Sequence, residues 1–404
     1  MSRNRIIYNT QGLFVAPYSG EQKAGADYFL NGYQILKKID KIQNFDYSIE
    51  QPNIDFIAFG SKKSVSRIPS NNPNITFNFS YLSDGVTNEN RLNFDVATFA
   101  SSFQRPMFSG ICQSNSLLDK KDFYLVINNS NTDLSNNYRL TNQSVNPAVL
   151  ADVIDPNVRN YSVLEFKNSY IIDYSFRIGV GDLPIVNQSY VCDNVNFYLS
   201  GSGIRASILD PKSGYKQNLN DEIVIPRFLT YNQTGISGQN ILTPGDAQAA
   251  FYNSISTGVL FYTDTLQSFG YELNFRRKDL ESLNYKFPLG RNILYPVGGR
   301  MNMSFLVDEN LSGSFFDTLN SNIDYNIVVN FSGLCNKSGI GVTRFIFSGC
   351  KFNEINYSSS IGSNKTADLA FNFDLDPDFG NRGIFASGNV LYGNVSNQRK
   401  ILIY

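Results

Sequence analysis

The sequence predicts a mainly β chain, with two tandem antiparallel β-sandwich or barrel domains, each with a short flanking helix. Three observations carry this. Segments such as Asn74–Tyr81 set Ile75, Phe77, Phe79 and Tyr81 between Asn74, Thr76, Asn78 and Ser80; that period of two belongs to a sheet with one buried and one wet face. Phe (32), Tyr (24), Asn, Ser and scattered Gly suit many short strands joined by polar turns. Third, one order of short patterns is written twice. No helix pattern alternates regularly with the strands, which argues against a parallel α/β sheet.

The repeat runs as five pairs. Gln43-Asn44-Phe45-Asp46-Tyr47 matches Gln267-Ser268-Phe269-Gly270-Tyr271, and Ile75–Phe79 matches Met301–Phe305, each after an Xaa-Pro step at Ile68-Pro69 and Tyr295-Pro296. Asp122–Asn128 matches Asp324–Asn330, Asp173-Tyr174-Ser175 matches Asn356-Tyr357-Ser358, and Gly203–Ser207 matches Gly383–Ser387. The separation between partners narrows after the second pair and again after the third. That drift places extra residues in the first copy, and the period far exceeds that of a solenoid repeat or propeller blade. The domains follow: residues 1–35 as an N-terminal arm, 36–226 as the first β domain with inserts at about 83–121 and 130–162, 227–257 as the connection, and 258–404 as the second.

In chain order, Gly12–Val15 is one short strand in the arm, and Ile42, Phe45, Tyr47 and Ile49 alternate among polar residues. The locally basic stretch Gly60–Arg67 reads as a hairpin loop. Residues 92–103 mix spacings of three and four, which predicts a short amphipathic helix; Ser314–Leu319 is its expected counterpart, with Asp317 three residues after Ser314. Residues 130–160 are an Asn/Ser/Thr-rich surface loop. Thr243-Pro244-Gly245-Asp246 before Ala247, Ala249, Ala250 and Phe251 predicts a helix start in the connection. Glu222–Pro226 and Lys400–Ile403 predict a similar closing strand in each copy.

Composition limits the chemistry. Charge is nearly balanced, 34 basic against 35 acidic residues, so no clustered basic groove for nucleic acid is expected. His is absent, which removes the usual general base, the Ser-His and Cys-His pairs and the commonest zinc ligand. Cys112, Cys192, Cys335 and Cys350 have no Cys-x-x-Cys spacing and read as small buried residues. Gly179-Val180-Gly181 and Gly298-Gly299 precede no good helix and no Lys-Ser/Thr, so they are not phosphate loops. Asp374-Leu375-Asp376-Pro377-Asp378 lacks the Gly and distal Glu of an EF-hand loop. Trp is absent, which weakens a sugar-cleaving or sugar-binding reading without removing it. No enzyme activity is expected, and no catalytic, cofactor-binding or metal-binding residue is assigned. Met1–Arg5 is followed by no signal-peptide core, and no stretch reaches the roughly 18 apolar residues of a membrane span; a soluble chain made in the cytoplasm is expected.

Phe45-x-Tyr47, Gly60-Ser61, the strand Asn74–Tyr81 followed by Gly85 and Asn88-Glu89, and Tyr174-Ser175 with Ile178-Gly179 together resemble a bacteriophage major tail tube protein. The resemblance covers roughly 36–226 and 258–404. The second copy departs from it: Gly85 has no clear counterpart there, and Asp308-Glu309-Asn310 only loosely echoes Asn88-Glu89. It implies two orthogonally packed sheets and a helix per unit, and an inner barrel built from neighbouring units. It also implies stacked rings around a DNA channel, with three two-unit chains giving a pseudo-six-fold ring. The implied partners are further copies of the chain, the tape-measure, terminator, baseplate and sheath proteins of a tail, and phage DNA passing without specific binding; the implied location is the virion tail. Physics suits that use, because open sheet edges expose unpaired N–H and C=O groups that a neighbour satisfies. The loops 60–73 and 286–299, the arm and the 130–160 insert are expected to contact the next ring or the outer surface. A distal tail or baseplate hub protein is the alternative expectation, and a carbohydrate-binding β-sandwich a weaker one.

Overall fold

A computed structural model describes residues 11–17, 29–30, 33–34, 37–39, 41–50, 53–56, 59, 66–69, 74–83, 85–98, 105–112, 119–128, 161–199, 206–207, 248–253, 259–263, 266–281, 288–307, 324–332, 342–359, 365–375, 382–388 and 402–403. The chain is mainly β. Its first half contains β1 (Gln11–Pro17), β2 (Phe29–Leu30), β3 (Tyr33–Gln34), β4 (Lys37–Lys38), β5 (Ile42–Glu50), β6 (Asn53–Phe56), β7 (Ser66–Pro69) and β8 (Asn74–Leu82). Then come α1 (Thr87–Arg91), β9 (Val96–Thr98), α2 (Ser109–Cys112), β10 (Lys121–Asn128), β11 (Tyr161–Gly179), β12 (Ile185–Cys192), β13 (Asn194–Leu199) and β14 (Ala206–Ser207). The second half contains β15 (Gln248–Asn253), β16 (Val259–Thr263), β17 (Leu266–Asn274), β18 (Arg277–Leu280), β19 (Gly290–Ile293) and β20 (Val297–Leu306). It ends with β21 (Asp324–Ser332), β22 (Val342–Ser358), β23 (Thr366–Leu375), β24 (Gly383–Gly388) and β25 (Leu402–Ile403).

Each half pairs its strands in one scheme. In the first, β5, β8, β12 and the second half of β11 form an antiparallel sheet, and β4, β1, β10, the first half of β11 and β13 form another. In the second, β17, β20, β23 and the second half of β22 repeat the first sheet, while β16, β15, β21, the first half of β22 and β24 repeat the second. The long strands β11 (19 residues) and β22 (17 residues) belong to both sheets of their half. Each turns the corner at one left-handed residue, Asn168 (φ 50°) in β11 and Gly349 (φ 77°) in β22. A side chain braces each corner: Asp122 Oδ1 accepts the Asn168 N–H at 2.8 Å, and Asn326 Oδ1 accepts the Gly349 N–H at 3.2 Å. Strands that change sheets at such irregularities are how orthogonal sheet packings make their corners.

The core lies between the two sheets of each half. Phe77 and Phe79 of β8 meet Phe123 of β10 with ring centroids 5.1 and 5.8 Å apart, and Phe347 of β22 meets Phe373 of β23 at 5.4 Å. The alternation read from Asn74–Tyr81 holds, with Ile75, Phe77, Phe79 and Tyr81 buried. In the first half α1 closes one end of the core. Its Glu89 is buried and accepts hydrogen bonds from the hydroxyls of Tyr81 (2.6 Å) and Tyr174 (3.2 Å), while Gln188 donates to Tyr81 at 3.0 Å and accepts from Tyr190 at 2.7 Å. A buried carboxylate is tolerable only with such partners.

Several expectations are corrected. The helix expected over 92–103 is absent from the described part of that stretch: α1 ends at Arg91, Asn93 adopts φ 57°, and residues 96–98 are strand β9, while 99–103 lie outside the described residues. The mixed spacing comes from a helix end followed by an extended run. The helix start expected at 243–251 meets a strand, β15, because Ala249 and Ala250 are hydrogen-bonded between β16 and β21; sheet pairing overrides the helix propensity of alanine. β1 and β15 pair in the same way with β10 and β21, so residues 11–17 of the arm and 248–253 of the connection lie inside the sheets.

Strand pairing keeps the first sequence match, Phe45 with Phe269, but shifts the next three by two positions. Phe77 rather than Ile75 is the counterpart of Met301, Asp122 of Asn326, and Phe176 rather than Tyr174 of Tyr357. A slip of two keeps the buried face and is invisible to an alternating pattern. The fifth match fails, since β13 and not Gly203–Ser207 takes the place of β24. Ser314–Leu319, residues 130–160, Glu222–Pro226 and Cys335 lie outside the described residues. β25 pairs with β14. Among the described residues no helix is long and apolar enough to cross a membrane.

Candidate functional site

The two halves are joined strand to strand. The second half of β11 pairs with β17 in an antiparallel ladder from Asp173 opposite Asn274 to Gly179 opposite Ser268, and the short β9 lies parallel beside β24. The first of these, the seam, makes one eight-strand layer, in the order β5, β8, β12, β11, β17, β20, β23, β22. On its inner face Tyr174, Phe176 and Ile178 face Leu273, Tyr271 and Phe269, all buried. Phe176 stacks on Tyr271 at 5.7 Å, and Phe345 touches both rings at 5.2 and 5.5 Å. On the other face Asn274 donates to Asp173 at 2.8 Å.

The hairpin β18–β19 reinforces the seam by reaching back onto the first half. Arg277 donates to both carboxylate oxygens of Asp119 at 2.8 and 2.6 Å and to the Ile171 carbonyl at 2.7 Å, with its guanidinium 5.1 Å from the centre of the Tyr170 ring. Arg291 bridges Asp193 at 3.2 Å and Asp279 at 2.9 Å. Tyr295 donates to the Cys112 carbonyl. A two-pronged Arg–carboxylate pair fixes geometry as well as charge. Burial pushes Asp193 above the usual carboxylate range, while the Arg291 guanidinium pulls it back. Burial lowers Lys121 to about 8 against the pull of Asp119, raises the Cys112 thiol to about 12, and raises Asp122 to about 6.

The same layer ends in two open rims. Among the described residues β5 pairs only with β8, and the second half of β22 pairs only with β23. These strands are the counterparts of the two that meet in the seam: β5 corresponds to β17, Phe45 to Phe269, and β22 to β11, Tyr357 to Phe176. The rim positions carry the same kinds of side chain, but exposed. Tyr47 and Ile49 stand where the seam has Tyr271 and Leu273, and are 48% and 55% exposed; Tyr357 stands where it has Phe176, and is 47% exposed. Lone exposed apolar residues are ordinary. Three on two rims, at positions buried wherever those rims are paired, are not.

The outer face of the layer is a polar carpet laced across strands, with Ser48–Thr76 at 2.8 Å, Asn187–Ser175 at 3.3 Å and Ser358–Thr366 at 2.5 Å. Among the described residues its charges are mostly acidic: Asp46, Glu50, Asp173, Glu272, Glu354, Asp368 and Asp374 stand against Arg177, Arg300 and Lys351, with Arg300 paired to Glu354.

The sequence assigns no catalytic, cofactor or metal residue. Of the loops expected to make contacts, 60–73 and 286–299, the first contributes β7 to a β6–β7 hairpin and the second contributes β19. Gly179–Gly181 forms the turn between β11 and β12, with Gly181 at φ 88°, and Gly299 packs under Phe373 inside β20. Sequence reasoning missed Arg277 and Arg291. A single arginine in a strand gives no sign of an acid as remote in the chain as Asp119 is from Arg277.

No family model matches the chain, and no curated protein matches it. Among solved structures it is similar to the SPP1 tail tube, determined by solid-state NMR and cryo EM, with TM-score 0.24, 10% identity, 36% of this chain covered and 78% of that one.

Proposed function

We propose that the chain is a structural subunit of a phage tail, closing three to a ring, and that stacked rings form the tube through which DNA passes. The observation that carries this is the seam. The first half already completes its own open edge by pairing with a second copy of itself, and the layer is left with one free rim of each kind. A head-to-tail contact repeated by rotation closes a ring and removes every edge. At a strand spacing of about 4.8 Å, three eight-strand layers give a barrel of backbone radius roughly 18 Å before strand tilt widens it.

The outer face of the layer would then line the bore. Its Asn, Ser and Thr carpet and surplus of carboxylates would let a polyanion pass, because phosphate neutralisation by Lys and Arg is what makes nucleic acid bind. Location in the virion and contacts with other tail proteins belong to the same proposal.

The test is the mass of the purified full chain by light scattering over a concentration series, with negative-stain images of the same sample. The expected result is a species of three chains, each 45.3 kDa, or stacks of that species. A species that stays at one chain at the highest concentration reached overturns the proposal.

A further inference from the structure

We infer that the junction between neighbouring chains copies the seam residue for residue, setting the second half of β22 of one chain antiparallel to β5 of the next with Tyr357 opposite Tyr47. This rests on the ring reading above and adds the register, the partner surface and the placement of a hairpin. The three ladders inside each half of the layer coincide without slip. Phe45 opposite Phe79 matches Phe269 opposite Met303; Phe79 opposite Gln188 matches Met303 opposite Leu369; Gln188 opposite Tyr174 matches Leu369 opposite Ile355. With those three equal, the seam dictates the fourth. Leu273 opposite Tyr174 becomes Ile49 opposite Ile355, and Tyr271 opposite Phe176 becomes Tyr47 opposite Tyr357.

Chemistry selects this register. It sets aromatic against aromatic and aliphatic against aliphatic, the cross-strand pairs that stabilise sheets. On the other face it sets Ser48 against Asn356 and Asp46 against Ser358. A slip of one residue would turn Tyr47 and Ile49 onto the polar face. One pair is unfavourable, Glu50 opposite Glu354, and Arg300 already holds Glu354.

The hairpin follows. β6–β7 corresponds to β18–β19 position for position, with Asp55 opposite Arg67 as Asp279 is opposite Arg291. Where β18–β19 covers the first half of its own chain, β6–β7 would cover the second half of the neighbour. There the place of Asp193 is taken by Arg382, which is exposed and paired with Asp324. The charge at the receiving position is therefore reversed, and Asp55 is the hairpin group that suits it.

The experiment uses the full chain carrying Cys335→Ser with paired cysteines on the polar face; the other three wild-type cysteines, Cys112, Cys192 and Cys350, are buried. Ser48→Cys with Asn356→Cys is the in-register pair, and Asp46→Cys with Ser358→Cys is a second in case the first fails to fold. Asn44→Cys with Asn356→Cys is the out-of-register control, two turns of the pleat away. Under mild oxidation the in-register pairs should convert more than about half of the chains to covalent three-chain species, and the control less than about a tenth, because a disulfide spans Cα atoms only about 4–7 Å apart. Rings of normal mass in which the control links, or in which neither in-register pair links, overturn the register and leave the ring reading standing. Loss of rings from the wild-type chain as well overturns that reading, and the register with it.

Discussion

The seam and the rims are the same strands in two situations. At the seam Phe176, Tyr271 and Leu273 are buried between two halves of one chain; at the rims their counterparts Tyr357, Tyr47 and Ile49 face solvent. The fold positions are equal and the composition is graded. Phe176 becomes Tyr357, and Ile178 becomes Ser359, on the exposed side. The seam keeps the hydroxyls of Tyr174 and Tyr271, and the rims add two more at Tyr357 and Ser359. The covalent link also lets the seam use the buried Arg277–Asp119 and Arg291–Asp193 pairs, whose desolvation is offset only when their geometry is held rigidly.

The sharpest way to break the comparison is to make one substitution at both places. Tyr271→Asp puts a carboxylate into the seam and should cost about 4 kcal/mol or more, enough to unfold the chain. Tyr47→Asp should leave thermal unfolding of the single chain within about 1 kcal/mol of wild type and abolish the three-chain species. Denaturation curves and light scattering read the two effects. If Tyr47→Asp rings persist, β5 is not a junction strand.

A second comparison lies inside the two halves of the layer. The first half fills one position with Ile75 opposite Cys192; the second fills its counterpart with Gly299 opposite Phe373. A Cβ on Gly299 would lie 2.3 Å from Phe373 and 2.8 Å from Leu273. Gly299→Ile alone should therefore destabilise by roughly 3 kcal/mol through overpacking, and Phe373→Cys alone by a similar amount through a cavity. Together they should cost about 4 kcal/mol, less than the sum of the two, which is a coupling of about 2 kcal/mol in a double-mutant cycle. Additive losses would show that the two halves do not exchange volume at this site.

The braced corners differ by one ionisable group. Asp122 holds the first corner and Asn326 the second. Burial lifts Asp122 out of the ordinary carboxylate range to about 6. A raised carboxyl takes up its proton more readily in the folded chain, so the cost of its charge is present above about pH 6. Stability should rise as pH falls from about 6 to 4 and level off below. Asp122→Asn, which copies the second corner, should stabilise the chain at neutral pH by roughly 1–3 kcal/mol and flatten that window. A variant that is less stable at neutral pH would show that the carboxylate's charge, not the hydrogen bond alone, holds the corner. The smallest effect should come from Glu50→Gln, which removes one like-charge pair and strengthens three-chain assembly by no more than about 1 kcal/mol.

Much of the layer was legible, and its limits are physical. Alternation in Asn74–Tyr81 and the repeated Gln-x-Phe-x-Tyr named β8, β5 and β17, because a half-buried strand restricts every second residue. The alignment of the halves slipped by two in three places, since alternation carries no information about steps of two. β15 reads as a helix because Ala-Gln-Ala-Ala is a local signal, while its strand form is imposed by β16 and β21 on either side. The arginine pairs of the seam and the Glu89 network were invisible, because their partners are distant in sequence and adjacent only after folding. Open edges were expected, but the residues that mark them needed burial: Tyr47 and Tyr271 read identically in the sequence.

Cryo-electron microscopy of the assembled full chain, viewed end on, tests most directly whether the rims meet as the seam does. The expected particle is closed and three-fold, and its bore is a continuous ring of strands, eight from each chain, with β5 of every chain beside β22 of its neighbour. A single chain whose two rims are paired with its own residues, or a closed particle whose chains meet through any other strands, would contradict it.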